Sequence, residues 1–273
     1  LRYHQTSGDR RAAATIEGNL GLALLELGRF DEARERFEAS LKTRDSVADK
    51  RGAAAIELHL AQCFLLAGDL ASFKRHLERG RTLAARVDDR QLVCTASIDE
   101  ARGLLAHNRA DEAARVLQSA VAEAKKLGEL IELEAVLSLG RAHLLRGDIR
   151  AAVRIENRIQ SLACRVTGDR TRRGAARFAA RLELARGSGD KALRLIGRKP
   201  VACEPVEEQI EDSLLRAAAA GAAVSPARIA KGLTGPRDAS RARGTNARLA
   251  EEARHRANEI IERVSRGFRD PAD

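Results

Sequence analysis

The chain has no tryptophan and no methionine, and aromatic residues make up only 3% of its 273 positions. It has five prolines, and none falls before Pro200. Proline is the residue that most firmly breaks a helix, while runs of β-branched and aromatic residues are what mark strands. Strand-type runs are nearly absent. The 44% apolar content is mostly Ala and Leu, which with Arg and Glu lose little rotamer freedom in a helix. These absences exclude a sheet-based fold and point to an all-α chain.

Cysteine is equally sparse. Cys63, Cys94, Cys164 and Cys203 are too far apart for a CxxC metal or redox motif. Cys63, Cys94 and Cys164 sit in helical patterns, where a free cysteine serves as a small apolar residue. No signal peptide opens the chain and no run approaches 18 apolar residues. The expectation is a reducing, cytoplasmic setting away from the membrane. The chain starts at Leu1 with a helical pattern already under way, which leads us to expect a fragment of something larger or an unrecorded start codon.

Chemistry-bearing motifs are also missing. The six histidines, His4, His59, His76, His107, His143 and His255, form no HExxH or i, i+4 pair. They read as surface or interhelix residues. No GxxxxGK[ST] loop and no GxSxG elbow occurs. The glycine-rich Gly187–Lys191 falls on a repeat turn, which argues against a phosphate cradle. We expect no catalytic residue, no metal ligand and no cofactor, and so not an enzyme. The net charge of +10 invites a nucleic-acid partner. However, 39 acidic residues are interspersed among 49 basic ones, the pattern of a solvated helix surface laced with ion pairs, and that reading is favoured.

What the chain does have is a repeat. A short signature recurs at Gly8-Asp9-Arg10, Ala48-Asp49-Lys50, Asp88-Asp89-Arg90, Gly128-Glu129-Leu130 and Gly168-Asp169-Arg170, each copy 40 residues after the last. A second follows each by about 20 residues, at Gly28, Gly68, Asn108, Gly147 and Gly187, with a one-residue deletion between Gly128 and Gly147. Between the two lies an apolar helix such as Ala12–Leu27. The glycine or asparagine can take the left-handed conformation that ends a helix. A second helix then opens on acidic residues such as Asp31-Glu32 or Asp111-Glu112, which suit a helix N-terminus. Ala33, Ala113, Ala152 and Ala192 stand five residues past the turn, where a small side chain lets the helices of a pair approach. Phe73 takes that place in the second unit, which predicts a looser or tilted pair there.

This pattern resembles the tetratricopeptide repeat family. The first unit carries the resemblance best, through Leu20-Gly21, Gly28-Arg29-Phe30, Ala33, Phe37 and Leu41; Leu139-Gly140, Gly147-Asp148-Ile149 and Ala152 repeat it in part. It covers roughly residues 8–198, with a period of 40 in place of the usual 34. The resemblance implies a right-handed α-solenoid of about five helix pairs, with first helices lining a concave groove that binds an extended peptide or helix. Longer repeats of this kind are similar to those of bacterial transcription activators, Ser/Thr kinases and kinesin light chains. The implied function is a protein–protein interaction scaffold, the repeat region of a larger bacterial signalling or regulatory protein.

Two residues beyond the Leu-Gly position, one column of the first helices reads Leu22, Gln62, Arg102, Arg141, Arg181, and Arg177 lies one turn before the last. Stacked guanidinium groups can grip carboxylates bidentately. Gln62, Arg102, Arg141, Arg177 and Arg181 are therefore the candidate partner-binding residues, with an acidic protein segment as partner. The competing reading is that arginine is so abundant here that any exposed column shows three.

The period fails after Ile196. We divide the chain into the repeat solenoid, residues 1–198, and a helical C-terminal extension, residues 199–273. Gly197–Pro205 reads as a linker. Helices follow over Val206–Ala223, from Ser225-Pro226, and from about Ala247 to Arg266, with Gly232–Asn246 between the last two as a mobile basic stretch. The extension is either a cap or, as the alternative function, part of a DNA-binding transcription regulator. Its helix-turn-helix-like segment would lie near 217–233, around Ala223-Val224-Ser225-Pro226.

Overall fold

The computed structural model describes residues 10–166 and 169–196, with residues 215, 216, 218 and 219. Apart from those four positions, everything expected of residues 197–273 lies outside the described residues, including the linker, the mobile stretch and the helix-turn-helix-like segment. Among the described residues there are α-helices and no strand: α1 (Arg10–Glu26), α2 (Phe30–Ser46), α3 (Lys50–Ala67), α4 (Leu70–Arg86), α5 (Arg90–Ala106), α6 (Ala110–Leu127), α7 (Glu129–Leu145), α8 (Ile149–Arg165), α9 (Asp169–Ala185) and α10 (Gly189–Ile196). They divide into two compact units, one ending at Leu139 and the other beginning at Gly140, inside α7.

In the first unit, α1/α2, α3/α4 and α5/α6 form successive antiparallel pairs whose first helices open at Arg10, Lys50 and Arg90, in step with the sequence period. The reason lies in the turns. Gly28, Gly68 and Asn108 adopt φ values of 72°, 80° and 60°, the left-handed conformation expected of them. The turns between pairs use the same device with worse residues, since Ala48 has φ 53° and Asp88 has φ 52°. Each is followed by an aspartate cap: Asp49 accepts from the Gly52 N–H and Asp89 from the Leu92 N–H, both at 3.0 Å. At Ala48–Lys50 and Asp88–Arg90 the triplet is thus a left-handed residue, a cap and the first basic residue of a helix. The missing residue is taken from the α6–α7 turn itself, not from between Gly128 and Gly147. Only Gly128 separates α6 from α7, whereas Val47–Asp49 and Val87–Asp89 separate the earlier pairs.

Small residues let the helices close. Ala33 and Ala113 are completely buried, and Ser40 donates to the Ala14 carbonyl at 2.7 Å, tying α2 to α1. The expectation of a looser α3/α4 pair is corrected. Phe73 is buried in a cluster with Leu58, Ala61, Leu77 and Ala96, and its ring fills the space left by Gly103 on α5. A Cβ on Gly103 would lie 2.4 Å from Phe73 Cε1. The bulk is accommodated by the following repeat, so the pair has no need to open. Gly21 receives the Phe37 ring in the same way. Cys63 and Cys94 are buried and donate to the carbonyls of Phe30 and Ala120. Burial pushes the Cys63 thiol up to about 11, so it stays a neutral packing group.

The second unit repeats the scheme. Gly147 and Gly187 have φ 73° and 76°, Ala152 and Ala192 are completely buried, and Phe178 of α9 packs on Gly140. Ala219 joins Ala180, Ala192 and Leu193 in a cluster, and Arg216 donates to the Ile196 carbonyl at 3.3 Å. Cys164 is exposed, contrary to its expected packing role.

Candidate partner-binding faces

In the first unit the candidate column holds Gln62 on α3 and Arg102 on α5, both half-buried. Between them lies Asp99, which has no exposed surface. Gln62 Nε2 donates to both of its carboxylate oxygens, at 3.2 and 3.0 Å, and Arg102 Nη1 donates at 2.8 Å. Arg102 Nη2 also stands 3.6 Å from Glu134 on α7. Burial raises the Asp99 carboxyl above its ordinary value, and the charge of Arg102 and the amide of Gln62 work against that rise. Gln62 and Arg102 are therefore committed inward, to balancing a buried carboxylate. Arg102 is not an unengaged cation awaiting an anionic ligand. Asp99 was missed because a single aspartate on an amphipathic helix reads as surface; the signal was Arg102 three residues on.

Other polar groups of this unit do similar structural work. Glu57 and His76, both buried, are 2.6 Å apart across α3 and α4, and His76 stacks on Phe64 at 5.0 Å. Glu17 and Arg36, 40 positions earlier, make the equivalent pair across α1 and α2 at 3.5 Å. His59 stacks on Phe37 at 5.7 Å, and burial lowers its pKa. These histidines are interhelix residues. Among the described residues no group of three or more His, Cys, Asp and Glu could hold a metal ion. No described helix is long and apolar enough to cross a membrane.

In the second unit the column continues with Arg141 on α7 and Arg181 on α9. Arg141 is exposed, Arg181 is half-buried, and Arg177, only 4% exposed, is buried. All three already interact within the protein. Arg177 cannot extend an exposed patch, because its position faces the interior one turn before Arg181. The candidate arginines thus differ from one another in exposure. Of the four candidate arginines, Arg141 alone is exposed.

Residues 12–84, α1 to α4, match the tetratricopeptide repeat family. Among solved structures the chain is similar to the nearly identical TPR-like repeats of a Podosopora anserina protein assigned as a kinesin light chain. The TM-score is 0.50 at 19% identity, covering 68% of this chain and 92% of that one. A single-substitution form of the same protein gives a TM-score of 0.51 at the same identity and coverage. No curated protein matches the chain. The fold is that of a TPR-like array of helix pairs, a class that generally mediates protein–protein interaction.

Proposed function

We propose that this chain is a protein–protein interaction scaffold, the repeat region of a larger bacterial signalling or regulatory protein acting in the cytoplasm by binding and not by catalysis. The observation that carries this reading is the repeated helix pair. Each first helix buries one side in the stack and keeps another column at the surface, as at Arg141. Stacked pairs bury a continuous core and leave an extended surface for a ligand.

The partner is an acidic protein segment, and the residues that engage it are Arg141 and Arg181 of the second unit. Arg102 and Gln62 contribute indirectly, by holding Asp99 and so the surface of the first unit. Binding of acidic and basic peptides of equal length, followed by calorimetry, tests this. The acidic peptide should bind more tightly and weaken with added salt. Arg141→Glu with Arg181→Glu should lower its affinity about tenfold or more. Unchanged affinity sinks the acidic-partner reading. DNA binding with a steep salt slope, and no peptide binding, would replace the scaffold reading altogether.

A further inference from the structure

Ala33, Phe73, Ala113, Ala152 and Ala192 face the partner helix of their pair. Two residues further on, a helix has turned by about 200°, so the side chain there points away from that partner. Glu35, Arg75, Arg115, Arg154 and Arg194 hold this place on α2, α4, α6, α8 and α10, and all five are exposed. From α4 onward the residue is always arginine. Glu35 shows that the repeat itself does not demand a cation there.

The charge of the second helices is uneven in the same sense. α2 has five acidic residues against four basic ones and ties them together, as in Arg34–Asp31 at 3.2 Å. α4 has five basic residues and one acid, Glu78, and α8 has four and one, Glu156. On α4, Arg79 and Arg86 are exposed beside Arg75. Arg79 stands 3.9 Å from Glu57 with 61% of its side chain exposed, and Arg75 donates to the Ser72 hydroxyl at 3.2 Å. Arg75 and Arg86 are about 16 Å apart along the helix. In the first unit α1 packs on α3 and α3 on α5, so the basic surface of α4 and α6 lies on the side away from the first helices. In the second unit Arg154 and Arg194 occupy the same place on α8 and α10.

The geometry points to duplex nucleic acid, held by its phosphates, as the ligand of this outer face in each unit. This binding activity is separate from the acidic-peptide site on the first helices. Guanidinium groups fork onto phosphate oxygens. A span of about 16 Å bridges a major groove about 12 Å wide, so Arg75 and Arg86 reach the two strands that border it. The face offers little else. Its uncharged exposed residues on α4 are Ala71, Thr82 and Ala85. A helix lying on a membrane inserts its apolar side, and that side of α4 is already buried through Phe73 and Leu77. A protein partner is anchored by aromatic and apolar side chains at the centre of its interface, and α4 exposes none. Single strands stack their bases on aromatic rings, and the Phe73 ring is inside. What remains is contact with the backbone of a duplex, which holds a protein in place without reading sequence.

Fluorescence anisotropy of the full chain with two labelled duplexes of unrelated sequence tests this. Equal affinities are expected, falling steeply between about 50 and 200 mM salt. Arg75→Gln with Arg115→Gln should weaken binding about tenfold or more in low salt and lessen the salt slope by about 2. Arg154→Gln with Arg194→Gln should do the same. All four positions are exposed, so helical circular dichroism and acidic-peptide binding should be unchanged in these variants. A chain that binds duplex but no acidic peptide keeps this inference and fails the earlier reading. No duplex binding in low salt overturns the inference, as does binding indifferent to the four arginines. An equal loss from Arg10→Gln with Lys50→Gln, exposed cations at the starts of first helices, reduces the effect to net charge and overturns it as well. Binding to anionic phospholipid vesicles and not to duplex assigns the face to a membrane surface instead.

Discussion

Asp99 illustrates how differently two ion pairs can matter. Arg29 and Glu32 meet at 2.5 Å with both side chains about half exposed, and such pairs are worth about 0–1 kcal/mol. Asp99 has no exposed surface, so its charge is tolerable only while Arg102 and Gln62 answer it. Arg102→Ala should destabilise the protein by about 3 kcal/mol, read as a lower midpoint in urea. Asp99→Asn in the same chain should recover most of the loss. The pH dependence has a definite sign. Burial holds the folded-state pKa of Asp99 above its unfolded value, so its stabilising contribution is full below the unfolded pKa and fades as pH rises through the folded one. The deficit of Arg102→Ala should therefore be smaller in acid than at neutral pH, and a deficit independent of pH would refute this account. It follows that lost binding in an Arg102 variant is no evidence of a ligand contact.

At the scale of the helix, two devices end and begin each element. The left-handed turn residues were legible wherever they are glycine or asparagine, because composition advertises the conformation. Ala48 was not, since alanine carries no such mark, and Asp88 was overlooked beside its cap Asp89; the chain geometry, φ 53° and 52°, reveals them. A non-glycine residue there costs about 1–2 kcal/mol. Ala48→Gly should then raise stability by up to about 1 kcal/mol even though glycine loses more chain entropy on folding, measurable by chemical denaturation. The caps supply a pH signature. In Asp49 and Asp89 partial burial acts upward, but the backbone N–H bonds and the neighbouring arginines, Arg44 and Arg51, win and lower both carboxyls. In Asp69 and Asp148 the backbone bonds from Ser72 and Ala151 lead the lowering. A depressed carboxyl stabilises the fold above its unfolded pKa, about 3.9, and the contribution is lost as pH falls through the folded value. Helicity should decline below about pH 4. Asp89→Ala should cost about 1 kcal/mol at pH 7 and much less in strong acid.

At the scale of the whole molecule, the described helix pairs within each unit meet their neighbours in sequence, so perturbations should stay local. Gly103→Ala forces a methyl group against the Phe73 ring and should cost about 1–3 kcal/mol by overpacking. Hydrogen exchange should show protection lost in α3 to α6 and retained in α9 and α10, and Phe73→Leu should relieve it. Uniform loss along the chain would contradict the nearest-neighbour picture. The same locality explains the uneven fate of the arginine column. Periodicity assigns residues to one column of a repeat, but the surroundings of each are particular to its own repeat: Arg102 answers the buried Asp99, Arg177 is buried and Arg141 is exposed.

By itself, the sequence determined the helical class, the register of the helix pairs and most of the turn positions. These depend on local propensity and on a period that needs no knowledge of distant contacts. Tertiary structure alone decided which polar residues are structural and which apolar ones are uncovered. Asp99 meets Gln62 across 37 residues of chain, and Ile16 is exposed whereas Ile56, its counterpart one period on, is buried. Burial belongs to the neighbours a residue acquires, and a periodic sequence assigns the same pattern to a covered helix and to a bare one.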